Sequence, residues 1–273
     1  MDPLIITAAA VGAEVTKEQQ PALPVSPQEL AADAAACREA GASIYHLHVR
    51  DDSGEPTMDV DRFAECLRAI RAATDLIVQF TSGGAVSDTE ESRLAPLELR
   101  PEMATLTTGT VNFGDEVFYN PAPLVERFYR RMRQLGVLPE FEIFDSGMLA
   151  SAERLLKKHG DGHHLHFDFV LGVPGGMPAW PDAVEFLARH LPAGATFSAT
   201  GIGRAHLDVT HAAIGLGGHV RTGLEDVRYY DPGRPARSNA ELIARVADLG
   251  RSAGRAIATP EVARRLLGLA PPA

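Results

Sequence analysis

His46 and His48 stand one residue apart in Ile44-Tyr45-His46-Leu47-His48-Val49-Arg50, at the end of a short apolar run that breaks into Asp51-Asp52-Ser53-Gly54. Side chains on a strand alternate faces, so this spacing aims both imidazoles one way and Leu47 the other. Two neutral imidazoles are half of a divalent-metal site. A carboxylate from elsewhere completes a three-ligand set and leaves open positions for water or substrate. The same spacing also occurs on strands that bind no metal, so the assignment depends on what else converges there.

The elements that position the pair alternate strand and helix from end to end, the pattern of a parallel sheet with helical crossovers. Apolar runs predict strands over residues 4–9, 42–49, 76–80, 103–107, 139–144, 165–171, 196–200 and 219–221. Ser26-Pro27-Gln28-Glu29 reads as an N-cap followed by proline in the first turn, opening a helix that stops at Gly41. Val60, Phe63, Leu67 and Ile70 form the stripe of a second helix over residues 59–73. Further helices are expected over 122–135 and, as the last one, from near Ser238-Asn239. Each strand exits into polar or glycine-rich residues, as in an α/β fold of the (β/α)8 TIM barrel type occupying residues 1–273 as one domain. The alternative is a doubly wound open sheet, disfavoured because no G-x-G-x-x-G follows an early strand.

In a barrel every strand end lies on one rim, where polar residues distant in sequence meet. That rim collects Glu14, His46, His48, Arg50, Ser82, Gly83, Gly84, Thr105, Thr107, Glu142, Arg221, Glu225 and Asp226. Glu225 is the chosen third metal ligand, with Asp226 as a base and Arg221 as its charge partner. A competing set, His164, His166 and Asp168, alternates along one strand but begins at the opposite rim, and it reads as structural, with Asp168 orienting a neighbour inside the barrel. His219 likewise reads as a buried, hydrogen-bonded residue. Glu14 suggests a substrate carrying an ammonium or quaternary nitrogen, unless Arg50 or Lys17 pairs with it.

Six segments in order resemble the β-keto acid cleavage enzymes: Gly12-Ala13-Glu14-Val15-Thr16-Lys17, Tyr45-His46-Leu47-His48-Val49-Arg50, Gln79-Phe80-Thr81-Ser82-Gly83-Gly84, Pro101-Glu102-Met103-Ala104-Thr105-Leu106, residues 167–176, and Val220-Arg221-Thr222-Gly223-Leu224-Glu225-Asp226. The resemblance implies a zinc-dependent barrel that converts a β-keto acid and acetyl-CoA into acetoacetate and a new acyl-CoA. Its course would be Claisen addition, thioester transfer within the adduct and retro-Claisen cleavage. It also implies that His46, His48 and Glu225 hold Zn2+, and that Asp226 with Arg221 is the catalytic dyad. Ser82, Gly83, Gly84 and Thr105 or Thr107 would cradle the substrate carboxylate, with Glu14 near the substrate and Glu142 near the dyad. An amino-keto acid or dehydrocarnitine would suit Glu14, and a homodimer or homotetramer is the implied assembly. The segment Ala8-Ala9-Ala10-Val11 is smaller and more apolar than expected of the family, which leaves the pocket's lower wall open.

Composition agrees with this class. The 273 residues carry 26 basic and 36 acidic side chains, a formal charge of −10, which argues against a nucleic-acid partner. Cys37 and Cys66 have no metal or disulfide spacing around them and read as reduced core thiols of a cytoplasmic protein. No apolar run is long enough for a membrane span, and Arg228, Arg234 and Arg237 read as a solvated charge run. A metal-dependent aldolase or hydrolase on the same barrel, working without CoA, is the alternative function. A non-catalytic metal-bound sensor fits poorly with base, cation and oxyanion groups on one rim.

Overall fold

A computed structural model describes residues 1–160 and 162–270. Eight strands close into a parallel ring in chain order: β1 (Ile6–Ala9), β2 (Ile44–Leu47), β3 (Ile77–Phe80), β4 (Met103–Thr107), β5 (Leu138–Ile143), β6 (His166–Leu171), β7 (Thr196–Gly201) and β8 (His219–Thr222). β1 pairs with both β2 and β8, so the sheet has no free edge. The crossovers carry α1 (Pro27–Ala40), α2 (Val60–Ala73), α3 (Glu90–Leu94, continued by a 3-10 turn over Ala95–Leu99), α4 (Ala122–Leu135), α5 (Ser146–His159), α6 (Pro181–Arg189) and α7 (His206–Gly215). After β8 come α8 (Asn239–Ser252) and α9 (Pro260–Leu266). The fold is the expected (β/α)8 barrel.

Local signals place these elements. The Ser26 hydroxyl accepts from the Glu29 amide while the Glu29 carboxylate accepts from the Ser26 amide, so both ends of the capping box are made. Gly41, at φ 118°, ends α1. On the strands, alternation sorts two kinds of core. The outward set (Tyr45, Leu47, Val78, Phe80, Phe141, Phe167 and Phe169 among them) packs with α2 and α4 residues such as Phe63, Ile70, Leu124, Phe128 and Met132. Burying each large apolar side chain stabilises by roughly 1.5–3 kcal/mol. The inward set above the closed end is polar: Thr7, His46, Gln79, Thr105, Glu140, Glu142, His166, Asp168, Ser198, Thr200 and Arg221 are all buried.

Two expectations are corrected. The strand expected over 42–49 ends at Leu47, because Val49–Arg50 turn away to pair antiparallel with Pro56–Thr57. The helix from Asn239 is not the last, since α9 follows it and closes the N-terminal end of the barrel. There Ala263, with Leu267 just beyond the helix, packs against Ile5, Ile44, Ile77, Met103 and Leu138. At the opposite end, two more short hairpins rise from the loops: Val111–Phe113 with Glu116–Phe118, and Tyr229–Asp231 with Arg234–Pro235.

Candidate active site

β2 with the residue just beyond it, and the loop after β8, bring the three expected metal ligands together at the C-terminal mouth. The ligand atoms of His46, His48 and Glu225 all lie within 4.8 Å of one another, and each histidine Nε2 is 3.7 Å from the same Glu225 Oε1. Donors around a tetrahedral zinc stand about 3.4 Å apart, so the spacing fits an ion better than it fits hydrogen bonds. Burial lowers both imidazole pKa values, that of His48 to about 3, which leaves them neutral. The Gln79 amide oxygen lies 2.8 Å from His46 Nδ1, which assigns the proton to Nδ1 and the lone pair to Nε2. Among the described residues Glu225 Oε2 is buried and has no hydrogen-bond partner, as suits an oxygen that would bind a cation. The residues present therefore fit a divalent metal.

Close packing sets the position of Glu225. Gly12 adopts φ +60°, and a Cβ there would lie 2.6 Å from Glu225 Cγ, so only glycine lets the β1 loop pass. Arg50 holds that loop from outside, donating to the carbonyls of Gly12 and Val15. Asn239 bridges the two strand ends, accepting from the Leu224 amide at 2.7 Å and donating to the Ala10 carbonyl at 3.1 Å.

Arg221 organises the acids. It donates from Nε and Nη2 to the two Asp226 oxygens, both at 3.0 Å, and from Nη2 to Glu225 Oε1 at 2.5 Å, while Nη1 stands 3.6 Å from Glu142. Burial works against charge on Glu225, yet the Arg221 guanidinium beside it holds the carboxyl down to about 2. For Asp226 burial prevails over the Arg221 attraction and pushes the carboxyl up to about 7. Glu142 receives a hydrogen bond from Thr107 at 2.6 Å, and burial pushes it up to about 8. Two adjacent carboxyls thus differ in state: Glu225 is ionised, as a metal ligand must be, and Asp226 is raised close to neutrality, where a carboxyl can gain or lose a proton.

The cavity over these groups has a volume of about 240 Å³. Its lining takes in His46, His48, Arg221, Glu225, Asp226 and Glu142, then Glu14, Gly83 and Gly84, and an apolar wall of Phe113, Phe118, Phe144, Val170 and Val173. Of the expected cradle, Ser82, Thr105 and Thr107 stand behind this lining. The Thr105 hydroxyl accepts from the Ser82 amide at 3.2 Å, and Thr107 serves Glu142. Gly84, at φ +62°, leaves no room for a Cβ, which would meet Asp88 and Met58, so glycine keeps the loop tight. Neither expected cation forms an ion pair with Glu14: Lys17 pairs with Glu29, and Arg50, though it feels the Glu14 charge at longer range, directs its donors to carbonyl oxygens. A larger open depression of about 700 Å³ between α3 and α4 contains none of this chemistry.

The competing histidines stay at the other end. Both His164 Nε2 and His166 Nδ1 lie 2.8 Å from the Thr196 hydroxyl, and His166 Nε2 faces Glu140 at 3.2 Å. Asp168 accepts from Ser198 and Thr200, and His219 Nδ1 accepts from the Ile5 amide. Arg234 and Arg237 pair with Glu241. Sequence reasoning missed Gln79, Thr81 and the aromatic wall. Gln79 was detectable as an amide at an inward strand position, whereas Phe113 and Phe118 depend on a hairpin with no turn signature stronger than Gly114-Asp115.

Residues 3–269 match the beta-keto acid cleavage enzyme family. The chain belongs to that family. This family member is 48% identical over 271 residues to the 3-keto-5-aminohexanoate cleavage enzyme of Fusobacterium nucleatum, covering 98% of this chain and 99% of the relative. It is 40% identical to the 3-oxoadipate:acetyl-CoA acetyltransferase of Cupriavidus necator, covering 98% and 95%. In architecture it is similar to ObcA in a ternary complex with a C4-CoA adduct and oxalate, with a TM-score of 0.78, 21% identity, and coverage of 91% of this chain and 68% of the other. The enzyme breaks a carbon–carbon bond of a β-keto acid and transfers an acyl group. Among the described residues no helix is long and apolar enough to cross a membrane.

Proposed function

We propose that this enzyme takes a β-keto acid and acetyl-CoA to acetoacetate and a new acyl-CoA, with zinc held by His46, His48 and Glu225. The supporting observation is the mouth itself: a three-donor metal set, a carboxyl raised to about 7 and a buried guanidinium share one small cavity. Zinc, when bound, supplies a Lewis acid that polarises a ketone oxygen. Asp226 takes the proton from the carbon that becomes the nucleophile, and Arg221 keeps the resulting charge pattern balanced. Glu142 holds a proton beside Arg221, and Thr107 fixes its orientation. The loop Ser82-Gly83-Gly84, braced by Thr105, receives the carboxylate, and the aromatic wall excludes water from the adduct.

A cationic substrate such as an amino-keto acid or dehydrocarnitine fits Glu14, an exposed carboxylate on the cavity side with no ion pair among the described residues. The relative from Fusobacterium nucleatum is named for an amino-keto acid of this kind. The reading extends to a single cytoplasmic domain whose buried thiols Cys37 and Cys66 stay reduced, assembled as a homodimer or homotetramer. Exposed Trp180, just before α6, and Phe186, on it, are apolar surface that a second subunit would cover. Purified protein incubated with acetyl-CoA and a panel of β-keto acids tests the activity. Acetoacetate formed only in the presence of the thioester is the expected result. Metal-dependent cleavage without it would replace the transferase by an aldolase or hydrolase. Loss of bound zinc in His46→Ala is expected by metal analysis, and full retention would refute the ligand set.

A further inference from the structure

Arg93, on α3, is 4% exposed and lies behind the loop that follows β3. Its Nε donates to the Ser82 carbonyl at 2.7 Å, Nη1 to the Tyr119 carbonyl at 3.2 Å and Nη2 to Asn120 Oδ1 at 2.6 Å. The guanidinium also rests over the rings of Phe118 and Phe128, at 4.8 and 5.3 Å. Every one of these partners is formally neutral. Among the described residues no carboxylate pairs with Arg93, and Asp88, Glu142 and Glu90 act on it only through the longer-range field. An arginine does not shed its proton, so a full positive charge is buried here without a counter-ion, an arrangement that costs free energy unless something else answers it.

What Arg93 holds indicates the use of that charge. Ser82 begins the glycine loop whose Gly83 and Gly84 face the cavity, and Phe118 belongs to the apolar wall of the same cavity. The remaining loop contacts, Ser82 amide to Thr105, Gly83 amide to Thr81 and Ala85 amide to Asp88, fix its shape without adding positive charge. Arg93 is thus the point where the loop and the aromatic hairpin are tied together, and it places a cation directly behind both.

We propose that Arg93 is a positioning residue that supplies the fixed countercharge for a carboxylate bound at the Ser82-Gly83-Gly84 loop, acting through that loop without touching the ligand. The proposal builds on the reading above, in which the β-keto acid places its carboxylate there. It makes the end of the cavity near the loop selective for anions, opposite in sign to the selection offered by Glu14.

The test compares wild type with Arg93→Met and Arg93→Lys, using acetoacetate and its neutral isostere acetoacetamide as competing ligands. In Arg93→Met, acetoacetate binding and the KM for the keto acid are expected to weaken about tenfold or more, the scale of one lost charge-assisted contact. Acetoacetamide binding and the KM for acetyl-CoA should stay within about twofold by the same measure. Arg93→Lys retains the charge and should retain the preference for the anion even if its loop is less well held. Equal weakening of both ligands in a folded Arg93→Met protein would reduce the residue to a structural strut and overturn the proposal, as would an unchanged preference. Should Arg93→Met fail to fold, loss of the anion preference in Arg93→Lys would overturn it as well. A wild-type enzyme that forms acetoacetate but shows no effect at Arg93 sinks this inference alone. A wild type without any preference for acetoacetate removes the site reading and the inference together.

Discussion

Glu140 and Glu142 sit two residues apart on β5, both facing the lumen and both buried, yet they reach opposite states. Glu140 faces His166 Nε2 at 3.2 Å, and that pairing holds its carboxyl below the ordinary range in spite of burial. Glu142 has a threonine hydroxyl and an arginine whose other nitrogens already serve Asp226 and Glu225, so burial prevails and the carboxyl rises to about 8. Deeper still, below Glu140, an apolar layer of Ile5, Ile44, Ile77, Met103 and Leu138 meets α9. From bottom to mouth the interior passes from the hydrophobic layer through the Glu140–His166 pair to three acids that share the single guanidinium of Arg221. Burial alone does not set the charge of a lumen residue; the availability of a partner does. The closed end packs apolar side chains, and the ionisable groups collect at the mouth, the end at which barrel enzymes keep their chemistry.

The contrast breaks most visibly at Asp226. Asp226→Asn removes the proton acceptor while keeping the shape, so turnover is expected to fall about 10²–10⁴-fold with the barrel intact. Steady-state acetoacetate formation measured beside circular dichroism decides this, and an unchanged kcat would show that the raised carboxyl takes no part in the reaction. At the other end, Leu267→Ala should cost about 2–4 kcal/mol of folding stability and leave metal content and KM alone. Urea unfolding with metal analysis checks the pair of readouts, and a plug variant that loses metal would show the two ends to be coupled.

The smallest effect concerns Glu142 and pH. The folded protein keeps this proton up to about 8, whereas the unfolded chain releases it near the ordinary 4.5. The stability contributed by the protonated group is therefore complete below that lower value and is lost as pH rises through the upper one. Unfolding midpoints of the metal-free protein should decline across this window, and Glu142→Gln should flatten the decline. Parallel profiles for the two proteins would mean that Glu142 is already ionised in the folded state.

Much of this was legible without coordinates. The alternation of apolar runs with capped helices reported a barrel because each signal is local: Ser26 and Glu29 cap α1 from three residues apart, and Gly41 ends it. The histidine pair was visible for the same reason, since the two-residue period of a strand is a property of the backbone. The hairpin that brings Phe113 and Phe118 over the cavity left little trace, because its position depends on Gly114 bonding to the Pro174 carbonyl and on Asn112 lying against Gly175. Arg93 left none, for an arginine on a short helix looks like any solvated charge until the chain folds over it.

Residue order alone established which groups share a strand face, where helices begin and stop, and that the acids following β8 come as a neighbouring pair. Which of that pair is ionised was decided by the fold, as was the tautomer of His46, set by Gln79 from the adjacent strand. The reason is range: periodicity and capping act over a few residues, whereas the field at a buried carboxyl sums over side chains from every strand of a closed ring.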